Sequence, residues 1–111
     1  MTASVKTSAS QTATLDTEHT LATVTDAGTY CLAVDLDALA GGSSPDIMRI
    51  KLYGKARSSD SERLIKTWSF WGVQSEKLWI SPAFLSPHHM KWTLEQTDGT
   101  GRAFPWAVYA A

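Results

Sequence analysis

Cysteine is almost missing from this chain of 111 residues: Cys31 is the only one. No internal disulfide can form, and nothing in the cysteine usage calls for an oxidising compartment. Cys31 sits in an apolar stretch and is read as a small buried hydrophobe. Long apolar runs are missing too, and none approaches the ~18 residues of a membrane span. The opening MTASVKTSASQTATLD lacks the continuous apolar stretch of a secretory signal. Bulk charge of one sign is also lacking. A net charge of -1 and a pI near 6.3 give no electrostatic pull towards nucleic acid or an anionic membrane surface. At this length one domain is expected, with one core and little room for a cleft between domains.

The charge is nevertheless unevenly placed. Residues 1–48 carry one Lys and six acids, and residues 49–77 carry seven Lys or Arg and three acids. Such a split suits either docking between complementary surfaces or two solvated strand faces. The first twelve residues, rich in Ser, Thr and Ala with Val5 as their only large apolar side chain after Met1, read as a flexible arm. An arm of this kind orders where a partner supplies backbone hydrogen bonds. Residues 13–111 read as the folded domain.

From Ala13 the apolar residues recur with period two, which is the signature of half-buried strands. Short Thr-rich segments offer Leu15, Leu21 and Val24 as anchors, and Asp26-Ala27-Gly28 is a turn. Tyr30, Leu32, Val34 and Leu36 share one face, with Cys31, Ala33, Asp35 and Asp37 on the other. Met48, Ile50 and Leu52 point inward while Arg49, Lys51 and Tyr53 point outward. In RLIKTWSFWG neither face is purely apolar, which suggests cover on both sides. Met90, Trp92 and Leu94, then Phe104, Trp106 and Val108, complete the inward rows. Pro82 and Pro87 bracket a loop or edge, since proline breaks a central ladder. The count is seven or eight short strands and no convincing helix. The expected fold is all-β, a small β-sandwich or jelly roll. Five tryptophans are many for this length, and at about 150–250 Å² buried per ring two or three suffice for much of a small core.

Candidate chemistry is sparse. Asp35 and Asp37 share a strand face, an arrangement compatible with glycoside hydrolysis or a cation site, but no third acid or glycine-spaced motif accompanies them. A cross-strand pairing with Arg49 and Lys51 is the plainer expectation. His88 and His89 are adjacent, so their side chains diverge in an extended chain, and no Cys/His spacing resembles a zinc site. No nucleophile-elbow sequence is present. No catalytic residue, cofactor or metal is therefore expected. The glycine-rich DGTGR at 98–102 lacks the Lys-Ser/Thr and the following helix of a phosphate loop. It reads as a hairpin turn at Asp98-Gly99, with Gly101 at positive φ or in a bulge. Arg102 then becomes a strand-end anchor reaching an acid. Base stacking on the tryptophans lacks a basic groove around it. Trp71 and Trp79, near strand ends, are candidates for an apolar sugar-binding platform; the plainer alternative is that they close the core or line a subunit contact.

Three segments, TLATVTDAGTYCLAVDLDALAGG, MRIKLYGKARSSDSERLIKTWSFWG and WTLEQTDGTGRAFPWAVYAA, resemble small all-β virion structural proteins of tailed bacteriophages. The resemblance covers roughly residues 13–109, and TLEQTDGTGRAFPW is its most specific element. Cys31 and the aromatic KTWSFWG depart from the pattern. The resemblance implies a capsid decoration or cement protein, with no catalytic residues to carry over. It also implies a place on the capsid surface after synthesis in the host cytoplasm. Its expected partners are the major capsid protein, copies of itself, or both. Arg49, Lys51, Trp71, Trp79 and Arg102 are the candidate interface residues. A tail-associated or carbohydrate-binding module is the alternative.

Overall fold

Strand alternation produces an inward apolar row on most segments, and two sheets close over those rows. The computed structural model describes residues 4–110. Nine strands run in chain order: β1 (Ser4–Thr12), β2 (Glu18–Val24), β3 (Gly28–Asp35), β4 (Ile47–Gly54), β5 (Arg63–Trp71), β6 (Leu78–Ile80), β7 (Phe84–Ser86), β8 (Met90–Asp98) and β9 (Ala103–Ala110). No helix occurs among the described residues.

One antiparallel sheet, here sheet A, has the order β1-β9-β3, with β6 and β7 end to end along the far edge of β3. Sheet B has the order β2-β8-β4-β5. Taking β6 and β7 as one interrupted strand, the antiparallel pairs β1·β9, β2·β8, β3·β6/β7 and β4·β5 form a long double ribbon. The ribbon winds up through β3·β9 and β4·β8. This is the jelly-roll winding of an eight-stranded sandwich.

The inward rows are those expected from alternation. Tyr30, Leu32, Val34, Met48, Ile50, Leu52, Met90, Trp92, Leu94, Phe104, Trp106 and Val108 are all buried in one core cluster. Trp92 lies at its centre with no exposed surface, and Trp68 of β5 stacks on it with ring centroids 5.8 Å apart. Trp79 and Phe84 meet Trp68 edge-on at 5.1 and 5.9 Å, closing the gap between β5 and the β6/β7 edge.

Several local expectations differ from the structure. Residues 13–17, read as strand, form a turn in which Asp16 takes φ +63°, so Leu15 is exposed. Strand β5 is not covered on both sides: it is the edge of sheet B, and Leu64, Ile65 and Trp71 are exposed. Asp35 and Asp37 do not face Arg49 and Lys51, because β3 lies in sheet A and β4 in sheet B; alternation specifies a face, not a sheet. The Asp98-Gly99 turn is not a hairpin, since β8 and β9 also belong to different sheets. The region expected as a flexible arm is β1 over residues 4–12, lying antiparallel to β9 of the same chain. Its first three residues fall outside the described range.

Candidate interaction surface

The loop that carries DGTGR is tied to a buried acid. Asp46, 1% exposed, accepts hydrogen bonds from the backbone N–H of Ala40 at 2.8 Å and of Thr100 at 3.0 Å. Arg102 Nε donates to the same carboxylate at 2.9 Å. Burial pushes the Asp46 carboxyl up, but the Ala40 N–H, the Arg102 guanidinium and the Thr100 N–H together hold it below the usual range. Buried Gln96 continues the corner, donating to the carbonyls of Asp98 and Thr100 and accepting from Arg102 N–H. Gly99 takes φ +86°, and a Cβ there would collide with Asp46. The positive φ thus falls at Gly99 and not at Gly101, where the Ala13 carbonyl crowds the space a Cβ would take. The glycine loop and Arg102 build a fold corner that joins the two sheets.

The two exterior faces differ sharply. Outward residues of sheet B form a charged lattice. Glu18 accepts from Tyr53 Oη and Thr93 Oγ1, each at 2.6 Å, and Lys51 approaches Glu95 and Glu18 at 3.6 and 3.9 Å. Burial raises the Glu18 carboxyl, and the two hydroxyl donors with Lys51 and Lys91 more than reverse it. Tyr53 is pushed up to about 12 by burial and by its bond to the Glu18 carboxylate. Glu62 binds Lys91 at 2.8 Å and His89 at 2.6 Å. Lys91 also lies 4.6 Å from the Tyr53 ring centroid.

The outward face of sheet A carries almost no charge. Opposed residues of antiparallel strands share a face, so Val5, Tyr109 and Cys31 form one row, and Ala107, Ala33 and Ile80 another. Leu78, Leu85 and Pro105 surround them. Among the described residues the ladder register places one charged side chain on this face, Asp35, whose carboxylate accepts the Asp37 N–H at 2.9 Å. Val5, Leu78, Ile80 and Leu85 are 57–75% exposed. A depression of about 220 Å³ lies between Ala33, Asp35, Leu78, Pro105, Trp106, Ala107 and Tyr109. Four strands about 4.8 Å apart, each offering some seven residues at about 3.3 Å, make a face of roughly 19 by 23 Å. That is about 440 Å² for the whole face, in which Ser8, Ser10, Thr12, Thr29 and Asp35 are polar and the apolar part runs over β9, β3, β6 and β7. Cys31, expected to be buried, is half-exposed near the middle of this face.

The edges, by contrast, are blunted. A register shift interrupts β1 between Val5 and Thr7, β2 between Thr20 and Ala22, and the β4–β5 ladder at Ile65. The β6/β7 edge is broken at Pro82. Bulges and prolines on edge strands discourage strand addition, so the sheet A face is the larger opportunity for a partner.

The sequence-derived candidates are scattered over this frame. Lys51 belongs to the sheet B lattice. Arg49 lies on the same face, half-buried and without an ion pair among the described residues. Trp71 is 68% exposed at the end of β5, whereas Trp79 points inward onto Trp68 and Phe70. The two indoles therefore do not make a shared platform. Arg102 serves the Asp46 corner. Among the described residues no cluster of three or more His, Cys, Asp or Glu side chains gathers as a metal site. The apolar sheet A face was not singled out from the sequence. Its signal is the lack of any charge at outward positions 29, 31 and 33 and again at 105, 107 and 109.

No family model, no curated protein and no solved structure matches the chain.

Proposed function

We propose that the chain is a non-enzymatic structural protein of a tailed-phage virion, a capsid decoration or cement protein. It docks on the major capsid protein through the outer face of sheet A. The observation that carries this reading is the contrast between the two exteriors, a charge-rich sheet B and a sparsely charged, largely apolar sheet A. An apolar face of this size in water favours a protein partner. The resemblance of residues 13–109 to virion proteins supplies the kind of partner. The jelly roll is used by viral capsid proteins and by lectins alike, so the fold by itself chooses neither. Repeated docking on a shell turns modest affinity per contact into firm attachment when copies also hold one another.

Exposed Trp71 supports a second reading, a tail-associated or carbohydrate-binding module. Glycan binding that disappears on Trp71→Ala with the fold intact would favour it.

Titrating purified protein onto capsids lacking it tests the first reading. Ile80→Lys and Leu85→Glu place charge on the sheet A face and are expected to lower affinity more than about tenfold, since each buried aliphatic side chain contributes roughly 1.5–3 kcal/mol. Arg49→Glu, on the opposite face, is expected to leave it within about twofold. Unchanged affinity for both sheet A variants would refute the docking face.

A further inference from the structure

Strand β1 is held in an unusual way. Eight of its nine side chains are exposed, and only Gln11 is half-buried. None belongs to the core cluster. Its pairing with β9 is a backbone ladder from Ser4↔Ala110 to Thr12↔Ala103, with one bulge. The side-chain tie to the rest of the domain is the exposed Lys6–Asp26 ion pair, which salt screens. Pro105, opposite Ser10, has no N–H to offer a ladder. The β3 side of β9 ends its pairing at Trp106, so around Pro105 only β1 flanks the strand.

The connection to β2 is built to pivot. Ala13 is 5% exposed, and its N–H donates to the Arg102 carbonyl at 2.8 Å. The domain therefore keeps its grip on residue 13 when residues 4–12 leave. The turn that follows, with Asp16 at φ +63°, is tied to the domain by its N–H to the Gln96 carbonyl at 2.9 Å and stays in place. The pivot is therefore the Thr12–Ala13 junction, and a terminal strand held on one such pivot is open to exchange between copies.

We infer that β1 is an exchangeable strand: it leaves its own β9 and lies on the β9 of a second copy of this chain. The occupant is specified by the ladder itself. A vacated β9 edge presents Ala103–Ala110, and the sequence complementary to it in register is β1. Exchange replaces each backbone bond with an identical one, so the balance is set by the geometry at the pivot and by protein concentration. The capsid reading is not needed for this inference. Exchange links copies directly, and it leaves the apolar face of sheet A free for another partner.

Paired single cysteines in a Cys31→Ser background test it. Ser8 and Ala107 face each other across the ladder, at a Cα separation that a disulfide spans. One population carries Ser8→Cys and a second carries Ala107→Cys. Mixed at high concentration under a glutathione redox buffer, they should yield a disulfide-linked heterodimer. A control mixture pairs Ser8→Cys with Ser59→Cys on the exposed β4–β5 loop. Heterodimer at least about tenfold above this collisional control is the expected result. Equal yields, or no heterodimer, would overturn exchange. Hydrogen exchange on the unaltered protein gives an independent reading. The β1 amides should exchange at least about a hundredfold faster than those of β3 and β8. Equal protection along β1 and β3 would overturn the inference without recourse to any variant.

Discussion

Asp46→Ala removes one carboxylate and strands three donors. The Ala40 and Thr100 N–H groups and Arg102 Nε all lose their acceptor. Rupturing a buried ion pair costs about 3–5 kcal/mol. Arg102 is 34% exposed, so water recovers part of its solvation, and about 3 kcal/mol is the expected loss. At roughly 4 °C per kcal/mol for a domain of this size, the melting temperature should fall by about 12 °C. Asp46→Asn adds a pH test, because it never ionises. The folded-state carboxyl of Asp46 lies below its unfolded value. Its contribution is therefore fully present above about pH 4, the unfolded carboxylate range. It is lost as pH falls through the depressed folded value. The gap in urea-unfolding free energy between wild type and Asp46→Asn should be widest at pH 7 and should narrow below about pH 4. A fall in melting temperature under about 4 °C for Asp46→Ala, or a gap that stays constant down to pH 2, would refute the reasoning.

Other outcomes follow from the same geometry. Gly99→Ala combines a forbidden φ with a collision at Asp46 and should cost more than Gly42→Ala, which has φ +103° but open space around it; urea unfolding should separate them by about 1 kcal/mol or more. Trp92→Ala empties the centre of the aromatic stack and should cost about 3–5 kcal/mol, while exposed Trp71→Ala should stay within about 0.5 kcal/mol. In an ultraviolet titration Tyr53 should resist ionisation until about pH 12. Its raised value means that the Tyr53–Glu18 contribution holds below about pH 10 and is lost as pH rises through the folded value. Glu18→Gln should bring that ionisation down, and an unchanged titration in Glu18→Gln would contradict the Glu18 bond.

What was legible in the sequence is the alternation. The period-two rows of large apolar residues, as in Tyr30-Leu32-Val34 or Met48-Ile50-Leu52, face the core, because strand geometry puts each row on one face and burial of its hydrocarbon chooses the inner one. Three kinds of information were not available there. Strand β1 has no apolar row to announce it, and its order comes from a backbone ladder with β9, roughly a hundred residues away in sequence. Sheet membership was hidden as well, which is why Asp35 and Arg49 were paired on paper and lie in opposite sheets. The partner of Arg102 was the third. An anchoring acid was expected, but Asp46 is 56 positions distant, and only the winding of the jelly roll brings the two together.

The central claim is that the chain coats a phage shell by its sheet A face. A cryo-electron microscopy reconstruction of purified particles tests it most directly. The account predicts density for the jelly roll on the outer capsid surface, with Ile80, Leu85 and Tyr109 turned towards the major capsid protein and the charged lattice around Glu18 and Lys51 turned to solvent. Particles without the protein, density on the tail alone, or a bound jelly roll whose sheet A face points to solvent would contradict it.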